Sequence, residues 1–162
     1  IQSNPHLPGV DWRAVAEGYV NPRRVNGDTW AHSWREPKVS GIAVNRKWGA
    51  DLAAFRQSLQ QAVAAGFHPV GCDTIRSVVD HELGHQLDSL LGLSGDADVL
   101  MAYTEAKSRG TRREVSGYAD KNIREFIAEC WAESLNNPDP REFARRIADL
   151  VRARYADRFG RV

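Results

Sequence analysis

Apolar side chains recur at Leu52, Phe55, Leu59 and Val63, the three-to-four spacing of one helical face. The pattern predicts a helix over Gly49 to Ala65, ended by Gly66. Four more helices follow from the same spacing. From Thr74 to Leu91 there is no Pro; Asp73 or Thr74 can cap the start and Gly92 the end. In that segment Val79, Leu83, Leu87 and Leu90 fall within an arc of about 80°, which reads as a core-facing stripe. Asp96 to Ser108 is a further helix, and Gly110-Thr-Arg-Arg a basic loop. Lys121 to Leu135 carries Ile123, Phe126, Ile127, Cys130 and Trp131 at helical spacing. The turn Asn137-Pro-Asp-Pro then restarts a helix from Pro140 to Arg158, striped by Phe143, Ile147, Leu150, Val151 and Tyr155. Arg141, Arg145, Arg146, Arg152 and Arg154 read as its solvated faces.

Strand patterns are confined to the earlier part of the chain. Val39 to Asn45 reads Val-Ser-Gly-Ile-Ala-Val-Asn, a β-prone run between Pro37 and a basic turn. Trp30, His32 and Trp34 share a period of two, either a short strand or an aromatic plug over the core; His32 reads as a packing group rather than a site residue. Before that, Pro5, Pro8, Pro22 and Pro37 and the turn Asn26-Gly27-Asp28 punctuate an irregular stretch, with Asp11 to Tyr19 as one short helix. The expected organisation is an irregular N-terminal segment at 1–37 packed on one α+β, mostly helical domain at 38–162 with a small sheet.

Composition narrows the function classes. The chain has 162 residues, enough for one domain with a real core. Net charge is +1, so bulk charge makes no case for nucleic acid or a membrane surface. No apolar run approaches the roughly 20 residues of a membrane span, and no signal-peptide pattern opens the chain. A soluble protein is expected, with its compartment undecided. Because numbering starts at Ile1, a domain of a longer protein is expected. Cys72 and Cys130 show no metal or disulfide spacing; buried hydrophobe is the first reading, with a single disulfide or, for Cys72, a regulatory metal ligand as alternatives.

The chemistry is concentrated in Asp80-His-Glu-Leu-Gly-His-Gln, an H-E-x-x-H pattern within the second predicted helix. Positions four apart on a helix lie about 40° from each other, so His81 and His85 leave the same face. Two neutral imidazoles there can grip one zinc ion, and Glu82 between them can reach a water beside it. At average His and Glu usage, a chain of this length shows the pattern by accident with a probability of roughly half a per cent. The plain alternative is a pair of solvated or satisfied histidines on an ordinary amphipathic helix.

Zinc held by two histidines needs a further protein ligand. A Gly three residues and a His or Asp six residues after the second His would serve, but those positions hold Asp88 and Leu91. The remaining scheme takes a Glu from a later helix with an acidic residue four further on. Glu125 and Glu129 satisfy it: Glu125 as third ligand, Glu129 as acceptor for the far ring N–H of a ligand histidine. Two solvated glutamates on a surface helix are the alternative.

The combination His81-Glu82-Leu-Gly-His85, Tyr118 and Glu125-x-x-Ala-Glu129 resembles the zinc metallopeptidase domain of anthrax lethal factor and its relatives. These are gluzincin-type members of the zincin group, found in bacterial toxins and at the ends of some phage head-assembly proteins. The resemblance spans about residues 39 to 135. It implies a zincin-like fold, one zinc ion on His81, His85 and Glu125, and Tyr118 as the group that stabilises the oxyanion. It further implies that Gly41, Ile42, Ala43 and Val44 form the edge strand to which an extended protein or peptide substrate adds. The expected activity is zinc-dependent peptide hydrolysis with Glu82 as general base. The rival expectation is a catalytically idle zincin-fold binding or assembly module of a larger toxin or phage protein.

Overall fold

The computed structural model describes residues 29–35 and 40–160. Two strands, β1 (Ala31–Arg35) and β2 (Ser40–Val44), pair antiparallel in a register running from Ala31↔Val44 to Arg35↔Ser40. Among the described residues seven helices follow: α1 (Arg46–Ala50), α2 (Leu52–Ala64), α3 (Ile75–Leu91), α4 (Ala97–Arg109), α5 (Thr111–Glu114), α6 (Ile123–Asn136) and α7 (Glu142–Phe159), with a 3-10 turn at Leu93–Gly95. The architecture is α+β and mostly helical with one small two-stranded sheet. Of Trp30, His32 and Trp34, the last two lie in β1 and Trp30 immediately precedes it, so the alternation there is a strand. The boundary expected at residue 37 falls between two strands paired with each other. The helix expected at Asp11 to Tyr19 lies outside the described residues.

The helix expected over 49–65 is broken. Asp51 turns its carboxylate onto the backbone N–H groups of Ala53 and Ala54, 3.1 and 2.9 Å away, and so starts α2 rather than continuing α1. An Asp inside an apparent helical run competes in this way whenever the preceding turn can end. The segment read as a basic loop contains a helical turn, α5, and it is tied down. Arg109 pairs with Glu105, Glu114 and Glu142, Arg112 donates to the Ala65 carbonyl, and Arg141 donates to the carbonyls of Arg113 and Val115. Nor is Arg141 a solvated surface group: it pairs at 2.7 Å with Glu133, which is fully buried.

Two apolar clusters flank α3. One joins Ala31, Phe55, Leu59 and Val78; the larger joins Leu93, Phe126, Ile127, Phe143 and Ile147 with residues of α4 and α7. The stripe expected to face the core, Val79, Leu83, Leu87 and Leu90, is only half-buried. The buried face of α3 is instead Ser77, Val78, Asp80, His81, Glu82, Gly84 and Asp88. Its polar members find partners: Asp80 accepts from Asn136 at 2.9 Å, and Asp88 accepts from the Ser94 N–H at 2.7 Å and from Arg124 at 3.0 Å. The helix therefore presents its polar side inward, against α6. No helix among the described residues is long and apolar enough to cross a membrane.

Candidate metal centre

The two helices that carry the H-E-x-x-H residues and the later glutamates are built by local signals. Thr74 caps α3 by accepting from the Ser77 N–H at 3.1 Å, Ser77 returns the bond, and Gly92 closes the helix with φ 72°. Asn122 caps α6 by accepting from the N–H groups of Arg124 and Glu125, both at 3.0 Å. That cap places Glu125 in the first turn and Glu129 one turn deeper, on the side facing α3.

His81 Nε2 lies 3.3 Å and His85 Nε2 3.2 Å from the same Glu125 oxygen, Oε2. The three donor atoms lie within 4.8 Å of one another. Glu125 Oε2 is buried and makes no hydrogen bond, so the two ring nitrogens approach it without an N–H directed at it. A buried carboxylate oxygen facing two imidazole nitrogens, with no hydrogen bond to satisfy it, fits a shared cation, and an N, N, O donor set suits zinc. Burial pushes the Glu125 carboxyl up, but the histidines outweigh it and hold it well below the usual carboxylate range.

Glu129 is fully buried and gathers three groups. Its Oε1 lies 2.7 Å from His81 Nδ1 and accepts from His68 Nδ1 at 3.0 Å; its Oε2 accepts from the Ser116 hydroxyl at 2.7 Å. The His68 contact is aligned as a hydrogen bond, whereas the His81 contact is close but off the N–H direction. Burial works against the charge, yet His68 and His81 together bring the Glu129 carboxyl down to about 2. An ionised carboxylate only accepts, so when the His81 ring is neutral its proton belongs on Nδ1, which leaves Nε2, on the side of Glu125 and His85, free for a metal.

Beside this cluster lies a cavity of about 640 Å³ whose wall includes His68, His81, Glu82, Tyr118 and Lys121. Glu82 is buried, and burial raises its carboxyl above the ordinary value, against the opposing pull of His81, His85 and His32. Tyr118 is positioned by backbone pairing across the fold: Gly117 N–H donates to the Gly66 carbonyl and Tyr118 N–H to the Phe67 carbonyl, both at 2.9 Å. Its ring centroid lies 5.8 Å from that of His81, and Lys121 Nζ sits 4.0 Å over it. Burial first, then the charges of Glu125, Glu82 and Glu129, push the phenol up and keep it a donor.

The structure thus brings His81, Glu82, His85, Tyr118, Glu125 and Glu129 together. Gly41, Ile42 and Ala43 are buried and Val44 half-buried in β2, and none of them lines the cavity; Thr29, Trp30 and Ala31, at the start of β1, do. Cys72 and Cys130 are buried free thiols, both pushed up by burial, which makes them inert fillers. Two participants carry no sequence signal: His68, alone in a loop before Pro69, and Ser116, in the turn between α5 and α6. No protein-family model matches the chain, and neither a curated protein nor a solved structure matches it.

Proposed function

We propose that the protein is a zinc-dependent endopeptidase built on a gluzincin-type zincin domain of the lethal factor-like kind. The observation that carries this reading is the convergence of His81 Nε2, His85 Nε2 and Glu125 Oε2 within 4.8 Å, beside a cavity walled by Glu82 and Tyr118. His81, His85 and Glu125 would hold the metal. When bound, zinc supplies Lewis acidity to a water and to the scissile carbonyl.

The chain's own residues supply the rest. Glu82, whose burial raises its proton affinity, takes the proton of the attacking water and delivers it to the leaving amine. Tyr118, held protonated, donates its O–H to the oxyanion that develops on the carbonyl. Glu129 fixes the His81 tautomer so that its Nε2 lone pair stays available. The substrate is an extended peptide laid along the hairpin by backbone pairing. The cavity wall at Thr29, Trp30 and Ala31 favours β1 over the Gly41–Val44 strand as its neighbour, and among the described residues no second strand covers that edge of β1.

Metal analysis and a peptide library test the reading. About one zinc per chain is expected, together with cleavage by the zinc-loaded protein that is lost in Glu82→Gln. A fully zinc-loaded protein that cleaves nothing in a broad library or a proteome lysate overturns the peptidase in favour of a binding module.

A further inference from the structure

We propose that His68 is a positioning residue of the metal centre: it holds Glu129, and Glu129 in turn holds His81. The inference rests on the metal-site reading above. Glu129 sits within van der Waals distance of the metal-facing histidine, but a carboxylate on a helix can swing about its side-chain torsions unless both oxygens are fixed. Here Oε2 is fixed by the Ser116 hydroxyl at 2.7 Å, and Ser116 is itself fixed because its Oγ accepts the Ala119 N–H at 3.0 Å. Oε1 is fixed by His68 Nδ1 at 3.0 Å. Because the carboxylate offers no proton, the His68 proton must be on Nδ1.

The His68 ring is itself immobilised. It lies between Trp30, at 4.8 Å between centroids, and Tyr118, at 5.2 Å, with the Phe67 ring edge-on at 5.1 Å. The residue before it, Phe67, receives the Tyr118 N–H through its carbonyl. One loop therefore sets both the second partner of Glu129 and the backbone of Tyr118. His68, Tyr118 and His81 form a triangle of rings with sides of 5.2, 5.8 and 6.3 Å. The His68–Glu129 pair lines the cavity together with His81, Glu82 and Tyr118.

The test uses zinc itself as the probe, titrated into the metal-free full chain against a chromophoric chelator. His68→Asn keeps an N–H near the Nδ1 position but removes the ring; His68→Phe keeps the stacked ring but removes the N–H. A positioning role expects zinc affinity to fall roughly 10-fold in His68→Phe and to return most of the way to wild type in His68→Asn. The opposite order, or no loss in either variant, overturns the inference, because then packing of the ring or nothing at all is what the site requires. A second readout needs no variant: the histidine 15N shifts of the zinc-loaded wild type should show a proton on His68 Nδ1, and a bare Nδ1 overturns the proposal. A wild type that binds no zinc removes the metal-site reading, and this one with it; a wild type that binds one zinc while the variants fall in the wrong order removes this inference alone.

Discussion

A Cβ built on Gly84 would meet the Ala128 Cα at 2.7 Å, so α3 and α6 cross with their backbones in contact. That closeness is what lets short His and Glu side chains from the two helices share one centre. Any side chain at residue 84 must force the helices apart, since its nearest neighbour is backbone and cannot rotate away. Gly84→Ala is expected to destabilise the metal-free protein by about 1–3 kcal/mol, as overpacked interiors do. It should weaken zinc binding as well. Urea unfolding and zinc titration measure the two effects; wild-type values for both would mean that the crossing adjusts freely.

His68 Nδ1 and the Ser116 hydroxyl donate to Glu129, and His81 Nδ1 lies 2.7 Å from it. Glu129→Gln keeps the shape but turns an amide NH2 toward donors, leaving at least one buried group unpaired. Zinc affinity is expected to fall roughly 10–100-fold, the usual cost of losing a carboxylate behind a ligand histidine. Competition titration reads this directly. A variant with wild-type affinity would mean that His81 is oriented by its own helix alone.

The sequence exposes those parts of the fold that local chemistry writes. Thr74 and Gly92 are caps legible in the sequence, whereas the helix read from Lys121 starts only after the Asn122 cap; His81, His85, Glu125 and Glu129 are visible because the i, i+4 spacing puts each pair on one face. What joins the pairs is not local. The approach of α3 to α6 depends on Gly84 meeting Ala128, and nothing in the spacing of either helix states that they are partners. The leucines of α3 mislead for the same reason: the face that the crossing buries is set by the small and polar residues. His68 and Ser116 are invisible because loops have no period. They arrive at Glu129 through backbone bonds between residues 66–67 and 117–118, a pairing that only the folded chain reveals.

Burial lowers the proton affinity of His81, but Glu125 and Glu129 outweigh it, and the imidazole is raised from 6.5 to about 10 in the folded chain. A group whose pKa is higher folded than unfolded stabilises the fold below its unfolded value and loses that contribution as pH rises through the folded value. The metal-free protein should therefore lose stability between pH 6.5 and about 10. On the proposed site zinc would compete for the same Nε2 lone pair, so its binding should release a proton in that window and tighten as pH rises. Melting of chelator-treated protein across this range, and calorimetry in buffers of different ionisation enthalpy, check the two statements. A melting temperature independent of pH, with no proton released on zinc binding, would show that His81 is neutral before the metal arrives.

Glu82 and Tyr118 face the cavity but are absent from the donor triad, so the two roles can be separated. Glu82→Gln preserves volume and removes the base; zinc should remain bound while peptide cleavage disappears. Tyr118→Phe keeps the ring, and with it the contacts to His68, Phe67 and Lys121, and removes only the hydroxyl. Its turnover is expected to fall roughly 10²–10³-fold with little change in KM, because on the proposed mechanism the oxyanion that the hydroxyl would stabilise exists only in the transition state. Mass spectrometry of a peptide library incubated with each zinc-loaded variant supplies the substrate and then the rates. If wild type and Glu82→Gln give the same cleavage pattern, the activity belongs to another site or a contaminant. If instead Tyr118→Phe raises KM and leaves kcat unchanged, the hydroxyl binds ground-state substrate and the oxyanion must be stabilised by the metal alone.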